Sequence, residues 1–360
     1  MRSLLDYAPD RILIVAPNWV GDVVMATPVM RVVRDAFPRA RIGVVARAWL
    51  GEVLEGSPRF DELLLYGLGR RRPGCPGFWG LAFGLRARRF NAALILPHSF
   101  STALFAWVAG AKRRLGYTRG DRGLLLTDSM PVRREDGRRV PVPKTDYYLA
   151  LCRAAGLPVA SEKPELFCRD EDRERAGRRL SRAAVADGER LALINPGANF
   201  GSSKCWMPER FAEVADRLAA DHGVRVGVVC GPGEEPIVER ILECARSRPV
   251  NFAQERLPLG ELKALVERCD LLVTNDTGPR HFAVAFDKPV VVIMGSTDPR
   301  HTACNLDKTI VLRKDVPCGP CHRRTCPYEH ECMKAVTADD VMGAAAELMA
   351  AHWDTDRSAR

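Results

Sequence analysis

Short apolar runs, each ending in a polar turn and followed by a segment of helical periodicity, recur along this 360-residue chain. That alternation restricts it to an α/β fold of parallel sheets with helices on both faces. In the first half the strand-like runs are Arg11–Ala16, Arg41–Val45, Leu63–Tyr66 and Ala92–Leu96, with a weaker one at Arg114–Tyr117. In the second half they are Leu191–Ile194, Val224–Val229, Leu271–Val273, Val290–Met294 and Thr309–Leu312. Between the two sets, Gly156–Leu166 (GLPVASEKPEL) concentrates proline and glycine and reads as a linker. The length suits two domains, 1–165 and 166–360.

Three strand-to-helix turns carry residues suited to binding an anion. Leu271–Val273 ends in Asn275-Asp276-Thr277-Gly278, a helix carries His281 to Phe286, and Pro289 breaks it before the next strand. Such a turn presents backbone N–H groups and a partial positive charge. On spacing alone, an ordinary helix cap accounts equally well for Asp276 and Thr277. After Leu191–Ile194 comes Pro196-Gly197-Ala198-Asn199-Phe200-Gly201-Ser202-Ser203-Lys204, with a helix starting near Pro208. Its glycines, hydroxyls and lysine form a plausible diphosphate cradle, although the P-loop spacing is absent. Near the N-terminus, Arg11–Ala16 leads through Pro17-Asn18-Trp19-Val20-Gly21-Asp22 into helical periodicity over Val23–Phe37. Asp22 at that turn faces the space above the sheet; standing alone, an aspartate there is more often a cap than a base.

Composition narrows the function. Hydrophobic residues make up 46% and charged residues 28%, as in a soluble globular protein. No apolar run approaches the roughly 20 residues needed to span a bilayer. The start, MRSLLDYAPDRILIV, lacks a signal-peptide pattern because Asp6 and Asp10 interrupt it, so a cytoplasmic location is expected. Residues 1–165 carry 26 Lys and Arg against 15 Asp and Glu, whereas 166–360 carry 28 against 30. The excess includes Arg70–Arg72, Arg86-Arg88-Arg89, Lys112–Arg114, Arg119, Arg122, Arg133-Arg134 and Arg138-Arg139. A basic half implies an acidic partner: nucleic acid, an anionic membrane surface or a phosphorylated substrate. Nucleic acid is disfavoured, since only 7% of residues are aromatic and no recognition motif occurs.

Six segments in order, PNWVGDVVMATP (17–28), LPHSFSTAL (96–104), RRLGYTRGDRGLLLT (113–127), PGANFGSSKCW (196–206), NDTGPRHFAVAF (275–286) and GSTDPR (295–300), make the chain resemble the bacterial lipopolysaccharide heptosyltransferases, family 9 glycosyltransferases, over residues 11–345. The resemblance implies a GT-B architecture: two Rossmann-like parallel-sheet domains facing across a cleft, with the last helix free to pack back on the first. It implies an N-terminal acceptor-binding domain and a C-terminal ADP-heptose-binding domain. The implied reaction is inverting, metal-independent transfer of L-glycero-D-manno-heptose from ADP-heptose to the lipopolysaccharide inner core, most specifically of the second heptose. Another family 9 acceptor, or a sugar-nucleotide epimerase of the same architecture, is the alternative. By position, Asp22 matches the family's base. Asn199, Ser202, Ser203, Lys204, Asp276, Thr277, Gly278 and His281 match donor-binding segments. The counterpart of Cys230-Gly231-Pro232-Gly233-Glu234-Glu235 contacts the nucleoside through a glutamate, with Glu234 and Glu235 both open. Arg114, Arg119 and Arg122 are expected to meet the phosphates and Kdo carboxylates of the lipid acceptor, at the anionic inner face of the inner membrane. No cofactor and no metal are expected. Cys205 and Arg280 depart from the pattern beside key positions, which bears on fine specificity.

Twelve cysteines without a signal peptide argue against a disulfide framework. Cys318-x2-Cys321-x4-Cys326-x5-Cys332 is dense enough to suggest a zinc or iron–sulfur site. Against that, Pro317, Pro320 and Pro327 mark a compact loop, and the resemblance implies a similar segment in enzymes whose chemistry needs no metal. Asp170-Glu171-Asp172 and Asp354-Thr355-Asp356 match DxD, a metal–nucleotide signature of other glycosyltransferases, but neither follows a strand and both read as chance. A dinucleotide oxidoreductase would need GxGxxG after the first strand, where this chain has PNWVGD.

Overall fold

The computed structural model describes residues 3–67 and 74–353; residues 70–72 and 354–356, named above, lie outside these. The chain divides into two compact units, Met1–Phe167 with Arg300–Cys304, and Cys168–Pro299 with Asn305–Arg360. Each is built on a six-stranded sheet, and every strand pairing in both sheets is parallel.

In the first unit the strands are β1 (Arg11–Val15), β2 (Arg41–Arg47), β3 (Glu62–Tyr66), β4 (Ala92–Ile95), β5 (Arg113–Thr118) and β6 (Asp128–Pro131), in spatial order β3-β2-β1-β4-β5-β6. Ile14 of β1 lies between Val44 and Leu94, which fixes the register at the sheet's centre. The helices Phe78–Leu85 and Phe100–Val108 cover one face, where Ala82, Leu85, Phe105 and Ala106 pack with Leu13, Val15, Val45 and Ile95. The single helix expected after β1 is two, Val20–Met25 and Thr27–Ala36. Pro28 lacks an N–H and suits a first turn rather than a helix interior, so the chain restarts at Thr27. The sequence reading also omitted β6 and a small hairpin, β7 (Arg134–Glu135) with β8 (Arg138–Arg139). The extended segment before the unit boundary is anchored by Glu165, which accepts from Arg31 at 3.0 Å and Arg59 at 2.7 Å.

The second unit repeats the order with β9 (Leu191–Asn195), β10 (Arg225–Val228), β11 (Val250–Asn251), β12 (Leu271–Asn275), β13 (Val290–Ile293) and β14 (Thr309–Leu312), arranged β11-β10-β9-β12-β13-β14. Ile194 pairs with Val228 on one side and Val273 on the other. The strands β9, β12 and β13 are buried on both faces, so they read as continuous apolar runs. The last helix, Ala338–His352, starts at a capping box of Thr337 and Asp340 and packs in this unit's own core beside Phe211 and Ile293. Trp206 is buried there and donates its indole N–H to the Val336 carbonyl at 3.0 Å. Asp172, in one of the DxD matches, is buried and bonded to Arg169 at 2.8 Å, a structural role.

Candidate functional site

In both sheets the strand order reverses beside the first strand, between β1 and β4 and between β9 and β12. Ligands of open α/β sheets bind at the carboxyl ends of the strands at such switch points. The residues singled out from sequence fall there.

In the second unit, three loops distant in sequence come together. Lys204, in the 3-10 turn Ser202–Lys204, donates to the Asp276 carboxylate at 2.6 Å and to its carbonyl at 2.9 Å. Asp276 also accepts from Arg280 at 2.8 Å and from Thr297 after β13 at 2.8 Å. Burial works against its charge, but Arg280 and Lys204 outweigh it and hold the carboxyl well below the usual range. Asp276 is therefore not the helix cap that its position suggests. Thr277, the N-cap of helix Gly278–Ala285, makes no side-chain cap either, so Thr277 and Gly278 start a helix whose first N–H groups are not met by a cap. His281, on the first turn, is buried, and burial followed by the Arg280 charge pushes its imidazole down to about 3.

Two glycines shape the cradle. A Cβ at Gly197 would collide with the Glu234 carboxylate, which accepts the Gly231 N–H at 2.8 Å. Glu234 is half-buried against the Gly197 loop and its pKa is raised, mainly by burial, whereas Glu235 is exposed. Gly201, at φ +149°, packs on the Arg324 carbonyl, a close approach that no other residue allows. Asn199 and Ser202 are exposed, but Ser203 is buried. Its hydroxyl bonds the Arg323 carbonyl and Ser296, and its N–H bonds the Arg324 carbonyl at 3.1 Å. Ser203 thus ties the loop to the cysteine-rich segment. Thr297 lies in the matched segment GSTDPR but was not singled out, and the packing role of the cysteine-rich segment carried no sequence signal.

In the first unit, Asp22 lies half-buried on the first turn of helix Val20–Met25, directly after β1. Its charge reaches the Tyr148 phenol, which burial first and Asp22 second drive well above its ordinary value. Beyond β4, His98, Thr118, Arg119, Gly120, Pro131, Val132, Arg134 and Arg139 line a cavity of about 610 Å³. Burial pushes the His98 imidazole down to about 4, helped by Lys144, Arg122, Arg119 and Arg139, so positive charge converges on this cavity. Of the three arginines expected for an acceptor, only Arg119 lines it. Arg122 is fully buried and donates to the carbonyls of Pro97 and Ser99, holding the loop that carries His98. Arg114 gives its guanidinium to the carbonyls of Leu125, Ala111 and Lys112. Both guanidiniums thus bond backbone carbonyls, and Arg134 and Arg139 of the hairpin line the cavity beside Arg119.

The two depressed imidazoles have a consequence for stability. The unfolded chain takes up protons below the ordinary histidine value of about 6.5, while the folded chain refuses them. Their contribution is therefore complete above that value and is lost as pH falls towards about 4 for His98 and about 3 for His281. Asp276, held below its ordinary range, adds a further loss only in stronger acid. Melting temperature should fall as pH is lowered from neutrality, and His98→Gln should make that slope shallower. An unchanged slope would show that His98 titrates alike in both states.

Among the described residues no two cysteines are joined by a disulfide. Cys318, Cys321, Cys326 and Cys332 line one cavity of about 210 Å³ with Ser203 and Ser296. Burial and then the other three thiols push Cys332 up. Among the described residues, no three or more His, Cys, Asp or Glu side chains are arranged to hold a metal ion.

Two parallel six-stranded sheets with matching switch points give an α/β fold of GT-B type. Residues 78–331 match the model of glycosyltransferase family 9 (heptosyltransferase), and the chain belongs to that family. It is 29% identical over 293 residues to the lipopolysaccharide heptosyltransferase 2 of Escherichia coli (strain K12), covering 79% of this chain and 82% of that one. The solved E. coli ADP-heptose lps heptosyltransferase II superposes with a TM-score of 0.76 at 26% identity, over 94% of this chain and 98% of that one. A family 9 glycosyl transferase from Veillonella parvula DSM 2008 shares the fold, with a TM-score of 0.80 at 24% identity over 94% and 97%.

Proposed function

We propose that this glycosyltransferase moves L-glycero-D-manno-heptose from ADP-heptose to the inner core of lipopolysaccharide, with inversion and without a metal, and that it adds the second heptose. The observation that carries the reading is the meeting of Lys204, Asp276 and the uncapped start of helix Gly278–Ala285 at the switch point of the second sheet. The names of the relatives supply the sugar, the nucleotide and the heptose position.

In this reading the second unit holds the donor. Lys204 has three N–H donors; two go to Asp276, and the third serves the diphosphate. The N–H groups of Thr277 and Gly278 face the same anion, with Asn199 and Ser202 beside them. His281, kept neutral, offers a hydrogen bond without competing charge. Glu234, placed by Gly197 and Gly231, bonds the nucleoside. Asp276 orients Lys204.

The first unit holds the acceptor. Asp22 takes the proton from the attacking hydroxyl, which then displaces ADP from the anomeric carbon on the opposite face. Arg119, Arg134 and Arg139 meet the phosphates and carboxylates of the lipid-linked acceptor. The enzyme works in the cytoplasm, in peripheral contact with the inner face of the inner membrane. Among the described residues no helix is long and apolar enough to cross a membrane.

Replacing Arg119, Arg134 and Arg139 together with glutamine should raise the acceptor KM and leave donor affinity unchanged. Exposed charges act within roughly 8 Å at physiological salt, so the difference from the parent should shrink as salt rises. Loss of donor affinity in this variant would overturn the division between units. The heptose position is tested by supplying ADP-heptose with defined Kdo-terminated or heptose-terminated acceptors, each in EDTA. Turnover of the heptose-terminated acceptor in EDTA is expected. Turnover of the Kdo-terminated acceptor alone would reassign the step, and loss in EDTA restored by Mg²⁺ would end the metal-free reading.

A further inference from the structure

The two helices that cover one face of the first sheet are apolar on their outer sides as well. Phe78–Leu85 reads FWGLAFGL, without a single charged or hydrogen-bonding side chain other than the Trp79 indole. Trp79 and Phe83, one turn apart, are 41% and 63% exposed, with Gly80 and Gly84 beside them. Helix Phe100–Val108 continues the surface with Phe100, Leu104 and Trp107, spaced i, i+4, i+7 on one stripe. Phe100 and Trp107 are 53% and 55% exposed. Packed against this helix, the turn Gly120–Leu125 adds Leu124 at 91% exposure. Single exposed apolar residues are ordinary, but five large ones on three adjoining elements are a patch.

Cations border it. Arg86 and Arg89 follow directly on the first helix, Lys112 follows the second, and all three are exposed. Arg86 lies beside Gly110 at the end of the second helix, so the cations border the same end of both helices. Aromatic and aliphatic side chains bordered by lysine and arginine match the two layers of an anionic bilayer surface. Tryptophan and phenylalanine settle at the acyl boundary and the cations meet the phosphates.

We propose that this face, Trp79, Phe83, Phe100, Trp107 and Leu124 with Arg86, Arg89 and Lys112, docks the protein on an anionic lipid bilayer. The inference rests on the peripheral membrane contact proposed above and names the surface that makes it. Its test uses no sugar substrate, so it can fail while the transfer reading stands.

The test is co-sedimentation of the full-length protein with phosphatidylglycerol-containing vesicles and with vesicles of phosphatidylcholine alone. Binding to the anionic vesicles is expected, weakening as salt rises, with a blue shift of tryptophan fluorescence. The double variant Phe83→Ser/Trp107→Ser should lower partitioning by about 10-fold or more with the melting temperature unchanged, since both side chains already face water. If that variant folds poorly, Leu124→Ser, at a position with no packing to lose, should still weaken binding. The proposal is overturned if the parent ignores anionic vesicles or if the variants bind like the parent. It is equally overturned if the parent is a dimer that Phe83→Ser/Trp107→Ser dissolves, because a second copy would then cover the face.

Discussion

Asp22→Asn should lower turnover by about 10²–10⁴-fold, the range for loss of a general base, while the dissociation constant for ADP-heptose stays near that of the parent. The amide has the volume of the carboxylate but cannot take the acceptor's proton. Asp22 is not the cap of helix Val20–Met25, and the lost charge–dipole interaction is worth only about 0.3–1 kcal/mol, so the fold should persist. In the proposed reading donor binding belongs to residues of the other unit, which is why it should be spared. Equilibrium binding and single-turnover kinetics on one preparation separate the two effects. Near-normal turnover in the variant would remove Asp22 from the chemistry.

Lys204→Ala should act on the other substrate and on a different step. Charge that helps a departing diphosphate matters most in the transition state, so kcat should fall by about 10²–10³-fold along with weaker donor binding. Asp276 keeps Arg280 and Thr297, each at 2.8 Å, so the variant should lose some stability without unfolding. The acceptor KM should not move. A variant that loses donor affinity yet keeps kcat would show that Lys204 binds substrate and transition state equally.

What could be read from the sequence follows what periodicity and turn chemistry encode. The central strands β1, β4, β9, β12 and β13 are buried on both faces, and their apolar runs mark them within a residue or so. The turns after β1, β9 and β12 were legible because glycine, serine and lysine there have no apolar face to serve. The two-residue strands β7, β8 and β11 are too short for any periodicity to register. Charge was legible as a sum and misleading one residue at a time. Arg122 sits in a basic run, yet its guanidinium is buried on two carbonyls, while Arg134 and Arg139 reach a cavity only because a hairpin turns them towards it. Ser202 and Ser203 are identical neighbours with opposite fates, one exposed and one locked to Arg323, and only the approach of a distant segment distinguishes them. Glu234 and Glu235 differ in the same way, the first packed against Gly197 and the second exposed.

The proposed reaction is tested most directly by following the fate of ADP-heptose with and without a heptose-terminated acceptor, reading nucleotide release and the anomeric configuration of the product by NMR. ADP should appear only when acceptor is present, in step with product, and the new linkage should carry the configuration opposite to that of the donor. Conversion of ADP-heptose in the absence of acceptor, or a product that retains the donor's configuration, would contradict the account.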